Sequence, residues 1–475
     1  MNIEDLWWQC WNLGGISPRM VESLLGAGEL ELVIRAAQER ADWFCAKAAA
    51  RELSTAGESE RALELLDPFV HAGWEAAEWL SAEIMVRRGE ADDALTMLRP
   101  DVAGLNSGET CRKYAQLLVQ AGRVDEAIDV MVPHLGESWL LTALVEMTEG
   151  QGRDERVLEL LAPRAEEEWD EEDGPEWDGN AQCLDDGWDR EVLRARVLER
   201  AGRADEAIRG LSACVAVGRH HTLNLYEAYA ELLARNGRLE ELRTLVAGPR
   251  GGSAVEAFAG ALERLGRAAE AEAVVRERID AHDHSGDRGA LMALLARQGR
   301  VDEAVEAGRP TFHYFDCGSH LQWTLDLLVE DGRPERAPAL LDELRHADTY
   351  ADDHPVLDPA RRIRLLGAAG QYAEAIAGAT ALDQHEPGER DVLLAQLLDG
   401  DGRPEEAVIL LRSSPYRFAP GPLAELLIRQ GRPAEAIAAL PTIAEERAAA
   451  EQRERETKRH RDRGPLNGAT TGGTP

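Results

Sequence analysis

Twelve glycines recur along this chain at intervals close to 33 residues: Gly57, Gly89, Gly122, Gly152, Gly202, Gly237, Gly266, Gly299, Gly332, Gly370, Gly402 and Gly431. An earlier copy is centred on Gly28. Five copies share nearly the same text, from Gly122-Arg123-Val124-Asp125-Glu126-Ala127 through Gly202-Arg203-Ala204-Asp205-Glu206-Ala207 and Gly299-Arg300-Val301-Asp302-Glu303-Ala304 to the Pro-bearing versions at Gly402 and Gly431. Such a period means that the chain repeats one supersecondary unit, which buries its apolar face only by stacking on its neighbours.

The flanks of the glycine define that unit. Leu or Met stands four residues before it in eleven of the twelve copies, and Ala five residues after it in ten. Ala also stands seven residues before it in eight copies, and Leu, Met or Val is usual nine residues after it. These are helical spacings, one apolar stripe on each side of the glycine. A helix commonly ends on a left-handed Gly, and the next begins well with Pro and acids in its first turn, as Gly402-Arg403-Pro404-Glu405-Glu406 provides. Alanines at the facing positions allow the two helices to approach closely. The reading is a tight helix hairpin, and for the whole chain an all-α solenoid of twelve or thirteen stacked helix-turn-helix repeats.

From about Ala46 to about Leu440 the sequence resembles the tetratricopeptide repeat family. It has a helix-turn-helix unit of similar length, a small residue in the first helix, a Gly-x-x-[DE]-[DE]-Ala turn and a large apolar residue four past that Ala. The family's aromatic two past the turn glycine survives only as Tyr372. The resemblance implies a right-handed superhelix whose inner groove, lined by first helices, holds a peptide or protein partner. The family's carboxylate-clamp pattern of Lys and Asn is absent, so recognition of chaperone C-termini is not expected.

Composition narrows the partners. With 88 acidic and 53 basic side chains the net charge is −35, which disfavours nucleic acid and anionic membranes. No apolar run of membrane-spanning length and no secretory leader is found, so a cytoplasmic location is expected. The six cysteines form no C-x-x-C pair and read as reduced thiols. Only three lysines occur, and this, with abundant Ala and Gly, resembles GC-rich bacterial coding.

The chain divides into an N-terminal cap and first repeat at 1–45, repeats at 46–162, an acidic insert at 163–190, repeats at 191–443, and a charged final helix with a disordered tail at 444–475. The insert carries twelve acids between Ala165 and Arg190 together with Trp169, Trp177 and Trp188. Its readings are a solvated loop or an acidic-aromatic element for a basic partner; it lacks the ligand spacing of a calcium loop. Trp7, Trp8 and Trp11 are expected to plug the open N-terminal end of the solenoid.

Chemistry is sparse. His313, Cys317 and His320 have spacing that could hold zinc, against a polar start to the next repeat. His220-His221 and His282-x-His284 read as loop residues. No phosphate-binding loop, nucleophile elbow or Rossmann glycine pattern occurs, so no enzyme and no cofactor is expected. The candidate partner-binding residues are Arg200, Arg235, Arg264 and Arg297, two before the turn glycine, with Arg87 and Arg429 at the same place. A cation there offsets the helix dipole, but in the resembled family this position faces the groove, where guanidinium forks suit carboxylates. The function expected is a non-enzymatic interaction scaffold, its rivals an acidic inhibitor or antidote of a basic effector and a metal-binding module.

Overall fold

The computed structural model describes all residues except 102, 163–185, 218–222, 249–250, 283, 310–317, 347–357, 383–386 and 463–475. The described residues form helices and no strand. Thirteen hairpins follow one another along the chain, from Pro18–Gly26 with Leu30–Arg40 to Pro420–Arg429 with Pro433–Ala439, and the architecture is an α-solenoid.

Every one of the expected turn glycines, Gly28 included, has a positive φ, between 67° and 93°. At Gly402 (φ 77°) the N–H of Arg403 donates to the Leu398 carbonyl (2.8 Å), the six-to-one bond of a Schellman cap. The same bond joins Arg203 to Leu198 and Arg432 to Leu427. The recurrent Leu therefore serves twice, with its side chain in the core and its carbonyl in the cap. A Cβ built on Gly402 meets nothing within 4 Å, so backbone conformation and not space requires the glycine. Gly402→Ala should cost about 1–2 kcal/mol, the strain of a left-handed alanine, read as a shift in the urea midpoint.

The alanines are where close approach demands them. Ala50, Ala62, Ala115, Ala127, Ala424 and Ala407 are all 0% exposed. The one copy without Leu or Met at the fourth position before its glycine has Thr148, buried, with its hydroxyl donating to the Leu144 carbonyl (2.7 Å). That copy also has an altered turn, with positive φ at both Gly150 and Gly152. Pro404 and Pro433 open their helices as expected, whereas Pro334 lies in a tighter turn and its helix begins at Arg336.

Two compact units make up the chain. One comprises residues 1–99 and 370–475, the other 100–369. A single core in the first unit takes side chains from both ends of the sequence, including Leu6, Val33 and Leu53 with Leu423, Leu427 and Leu440. In the second unit, Leu321, Leu325, Leu328 and Leu341 gather with Met292 and Val301.

The joining of the two ends corrects the expectation of an open N-terminal end plugged by tryptophans. The opening helix, Ile3–Asn12, packs beside the last, Ile443–Asp462. Trp7 meets Trp74 edge to face (centroids 5.1 Å) and Trp8 is half-buried, but Trp11 is 81% exposed. Leu6 and Gln9 are the residues of this helix that go fully inside. The closure is polar. Glu446 accepts from the Gly15 N–H (2.8 Å), Arg447 pairs with Glu4 (2.8 Å) and Asp5 (3.1 Å), and Arg40 donates to the carbonyls of Ile437 (2.6 Å), Leu440 (2.9 Å) and Pro441 (2.6 Å). Beneath it Asp42, 0% exposed, accepts from the N–H groups of Ile16 and Cys45, while Gln9 accepts from Trp43 N–H and donates to the Gly14 carbonyl. Gly15 has φ 73°, and a Cβ there would press on Asp42 and Ile443.

Burial pushes the Glu446 and Asp42 carboxyls above their usual range, opposed by the backbone N–H groups they accept from. The fold thus favours the protonated form of each. Their contribution to stability is full below the unfolded carboxylate range, about pH 4, and is lost as pH rises through the raised folded value. Wild type should therefore lose stability relative to Glu446→Gln as pH rises from that range toward neutrality. A wild-type-minus-variant difference in urea midpoint that stayed constant with pH would contradict this.

Two boundaries also shift. The helix Asp186–Arg200 begins inside the expected insert, and the final helix starts at Ile443. The acidic stretch 163–185, with Trp169 and Trp177, and the tail 463–475 lie outside the described residues.

Candidate functional site

Where Arg follows the turn glycine, repeats place charge in register with their neighbours; Glu29, Glu58, Glu90 and Gln371 stand there in other copies. The Arg after the turn glycine clamps the Glu three residues on in a two-pronged pair: Arg123 with Glu126 (2.6 and 2.5 Å), Arg403 with Glu406 (2.8 and 2.7 Å), Arg432 with Glu435 (2.8 Å each). The same Arg also reaches the acid three past the preceding repeat's glycine. Arg153 pairs with Asp125 (2.9 Å), Arg238 with Asp205 (2.8 Å), Arg333 with Asp302 (2.9 Å) and Arg432 with Glu405 (3.1 Å). The acids of the Asp-Glu turn thus divide between their own repeat and the next one, beyond the dipole role the sequence suggested. Guanidinium hydrogen bonds hold the Glu126 and Glu406 carboxyls below their usual range, and that of Glu435, between Arg432 and Arg412, falls to about 2. Exposed pairs of this kind add modestly to stability and help fix the register of the stack.

The arginines two before the glycine follow a parallel rule. Arg235 forks onto Glu199 (3.2 and 2.9 Å), Arg297 binds Glu263 (2.8 Å) and Arg429 binds Asp399 (2.8 Å), in each case the acid three before the preceding repeat's glycine. Arg200 sits deeper, at 17% side-chain exposure, bonded to Asp154 (2.8 Å), the Val145 carbonyl (2.6 Å) and the Thr148 hydroxyl (3.2 Å). Arg264 is exposed and has no ion pair among the described residues. The expected series of open guanidinium forks is therefore mostly met by carboxylates of the chain itself.

Three successive first helices enclose a cavity of about 620 Å³ around two of these arginines. Ser138–Met147, Asp186–Arg200 and Leu223–Arg235 supply its walls, and Leu211 of Ala204–Val217 reaches it from behind. Val145, Ala195, Leu232 and Leu211 are buried and make an apolar floor. Arg196, Arg200 and Arg235 line it together with Glu149, Glu199 and Glu231. Arg196 is exposed and has no ion pair among the described residues, which leaves one open guanidinium over an apolar floor. The sequence reading missed Arg196; its offset of six before the glycine, on the same helix face as the tenth and third, is the signal that would have found it.

For the zinc candidate, His313 and Cys317 lie outside the described residues, and His320 is half-buried with its imidazole pKa lowered by desolvation. No group of three or more His, Cys, Asp or Glu among the described residues could hold a metal ion. His220 and His221 are also outside the described residues, whereas His282 ends its helix and its ring stacks on that of His284. One nucleophile-base contact, unmarked in the sequence, is Cys111 Sγ to His134 Nε2 at 3.4 Å. Nε2 also lies 2.9 Å from the Leu105 carbonyl, so it carries the proton and donates there, and it cannot take one from the thiol. Burial pushes the Cys111 thiol up, away from the reactive thiolate. No described helix is long and apolar enough to cross a membrane.

The tetratricopeptide repeat family model matches residues 421–440, the hairpin of Pro420–Arg429 and Pro433–Ala439. No curated protein matches the chain. Among solved structures, one chain of Naa15/Naa10 bound to HypK-THB is similar over 83% of this chain and 67% of its own, at 13% identity and a TM-score of 0.33. A chain of the APC/C heterotetramer Cut9-Hcn1 is similar over 88% and 90%, at 13% identity and a TM-score of 0.24. The pentatricopeptide repeat protein PPR10 from maize is similar over 88% and 71%, at 15% identity and a TM-score of 0.27. With its left-handed turn glycines, paired alanines and one hairpin regular enough to match the family model, this chain is similar to the tetratricopeptide repeat family, and the match to the family model is confined to that hairpin.

Proposed function

We propose that the chain is a non-enzymatic protein-interaction scaffold, which takes a carboxylate-bearing segment of a protein partner along its first helices. The cavity of about 620 Å³ with an apolar floor and guanidinium rim carries this reading. Arg200 builds the wall, while Arg235, Arg264 and Arg297 face the partner, whose carboxylates replace Glu199 and Glu263 at the forks. An exposed pair of this sort is worth under about 1 kcal/mol, so exchanging its acid is cheap. The test is capture from native cell extract, followed by titration of the captured partner against Arg235→Glu, Arg264→Glu and Arg297→Glu combined. The expected result is at least a tenfold loss of affinity; intact affinity for every partner would sink the reading.

The net charge of −35 supports one alternative, an acidic inhibitor of a basic effector. That complex would weaken steeply with salt, whereas a partner seated on the apolar floor would depend on salt far less.

A further inference from the structure

We propose a second docking site, set between two second helices and the loop and first helix that join them, which takes a peptide segment bearing a carboxylate beside an apolar side chain. A cavity of about 510 Å³ opens between Pro404–Ser413 and Pro433–Ala439, under the loop 414–419. Its floor is the buried pair Leu411 and Leu423 with the small Ala438 and Ala439, wide enough for an apolar anchor.

The loop is preformed. Ser414 Oγ donates to Asp391 (2.7 Å), and the Tyr416 carbonyl accepts from the Ala419 N–H (2.9 Å). Tyr416 packs so closely on Gly388 that a Cβ there would collide with its ring. A preformed site avoids the ordering entropy that weakens binding by mobile loops.

Charge selects the occupant. Two arginines, Arg412 and Arg417, line the cavity with one carboxylate, Glu435, while Arg432 behind it is shared between Glu435 and Glu405. Arg412 (3.0 Å) and Arg432 (2.8 Å) both hold that carboxylate, which leaves Arg417 with no ion pair among the described residues. Its guanidinium lies over the ring of Phe418 at 4.2 Å, and Phe418, which is 54% exposed, meets Tyr416 edge to face at 5.3 Å. Ile409, 66% exposed, stands one helical turn before Arg412. Aromatic and Arg side chains around a cavity are the composition of interface anchors, and this local positive surplus occurs in a chain with a net charge of −35. An acidic partner otherwise repelled by the protein finds its complement here.

The test uses the full chain and three dye-labelled peptides of alternating Asp and Leu, Asn and Leu, and Lys and Leu, titrated by fluorescence anisotropy. The Asp-Leu peptide is expected to bind saturably, at least tenfold tighter than the other two. Arg417→Glu should weaken it at least tenfold with little change in the melting curve, since Arg417 makes no ion pair among the described residues and lies only over the exposed ring of Phe418. The combined groove variant Arg235→Glu, Arg264→Glu and Arg297→Glu should bind it within twofold of wild type, so failure here is distinguishable from failure of the groove reading. Absence of saturable binding, equal binding of the Asn-Leu peptide, or undiminished binding by Arg417→Glu would overturn the proposal.

Discussion

Arg278→Ala is expected to destabilise the unit spanning residues 100–369 by roughly 3–5 kcal/mol, the cost of leaving a buried charge without its partner. Arg278 is 7% exposed and Asp287 is 0% exposed, and the guanidinium Nε donates to the Asp287 carboxylate at 3.1 Å. The same guanidinium donates to the Val246 carbonyl (2.6 Å), one of the orphan carbonyls at the end of Leu239–Ala247. It thereby ties the helices Leu239–Ala247, Ala268–His282 and Ser285–Arg297 at one point. Gly251 belongs to the same arrangement, because a Cβ there would collide with the Val246 carbonyl and crowd Arg278. Alanine leaves Asp287 buried without a counter-charge and Val246 without its donor. Replacing both charges, with Arg278→Leu and Asp287→Leu together, should recover more than half of the loss, since a packed apolar pair escapes the desolvation cost. Urea unfolding of the three proteins checks this; a single substitution costing under about 1 kcal/mol would show that the pair is dispensable.

Arg40→Ala should release the C-terminal end of the repeat array while most of the fold persists. Its guanidinium donates to three carbonyls at the end of the helix Pro433–Ala439 and just past it, those of Ile437 (which also accepts from the Leu440 N–H), Leu440 and Pro441. A buried acceptor left unmade costs about 1–3 kcal/mol, so depriving Leu440 and Pro441 of this donor outweighs the remaining Glu446–Gly15 bond and the partly exposed Arg447 pairs. Amide hydrogen exchange should accelerate about 100-fold or more for residues 437–447 and for Gly14 to Ile16, equivalent to roughly 3 kcal/mol at about 1.4 kcal/mol per tenfold. Exchange in the helix Trp43–Thr55 should be little altered. Unchanged protection at 437–447 would mean that the apolar contacts of Leu440 and Ile443 alone hold the ends together.

These two predictions rest on contacts that no local rule announces. The turn glycines, the alanines around them and the Leu four residues earlier were legible because each obeys short-range geometry. A left-handed cap, a close helix crossing and a helical stripe are all decided within about a dozen residues. The groove was legible only as a face. That Arg235 meets Glu199 and Arg297 meets Glu263 depends on how far one hairpin slides and turns against the next, which the charges help to set but do not spell out. The Cys111–His134 contact does not repeat, so no period marks it, and Arg196 was marked only by the helix face it shares with positions ten and three before its glycine.

The sequence by itself determined the unit and its turn chemistry and left its number at twelve or thirteen, because a period of about 33 residues can bury its apolar stripes only as stacked hairpins. Only the tertiary structure decided that residues 4 and 447, or 40 and 437, lie side by side and that both ends of the chain share one core. The stripe and the turn are decided within one repeat and its neighbour, so nothing local marks which segment from the far end of the chain a hairpin meets.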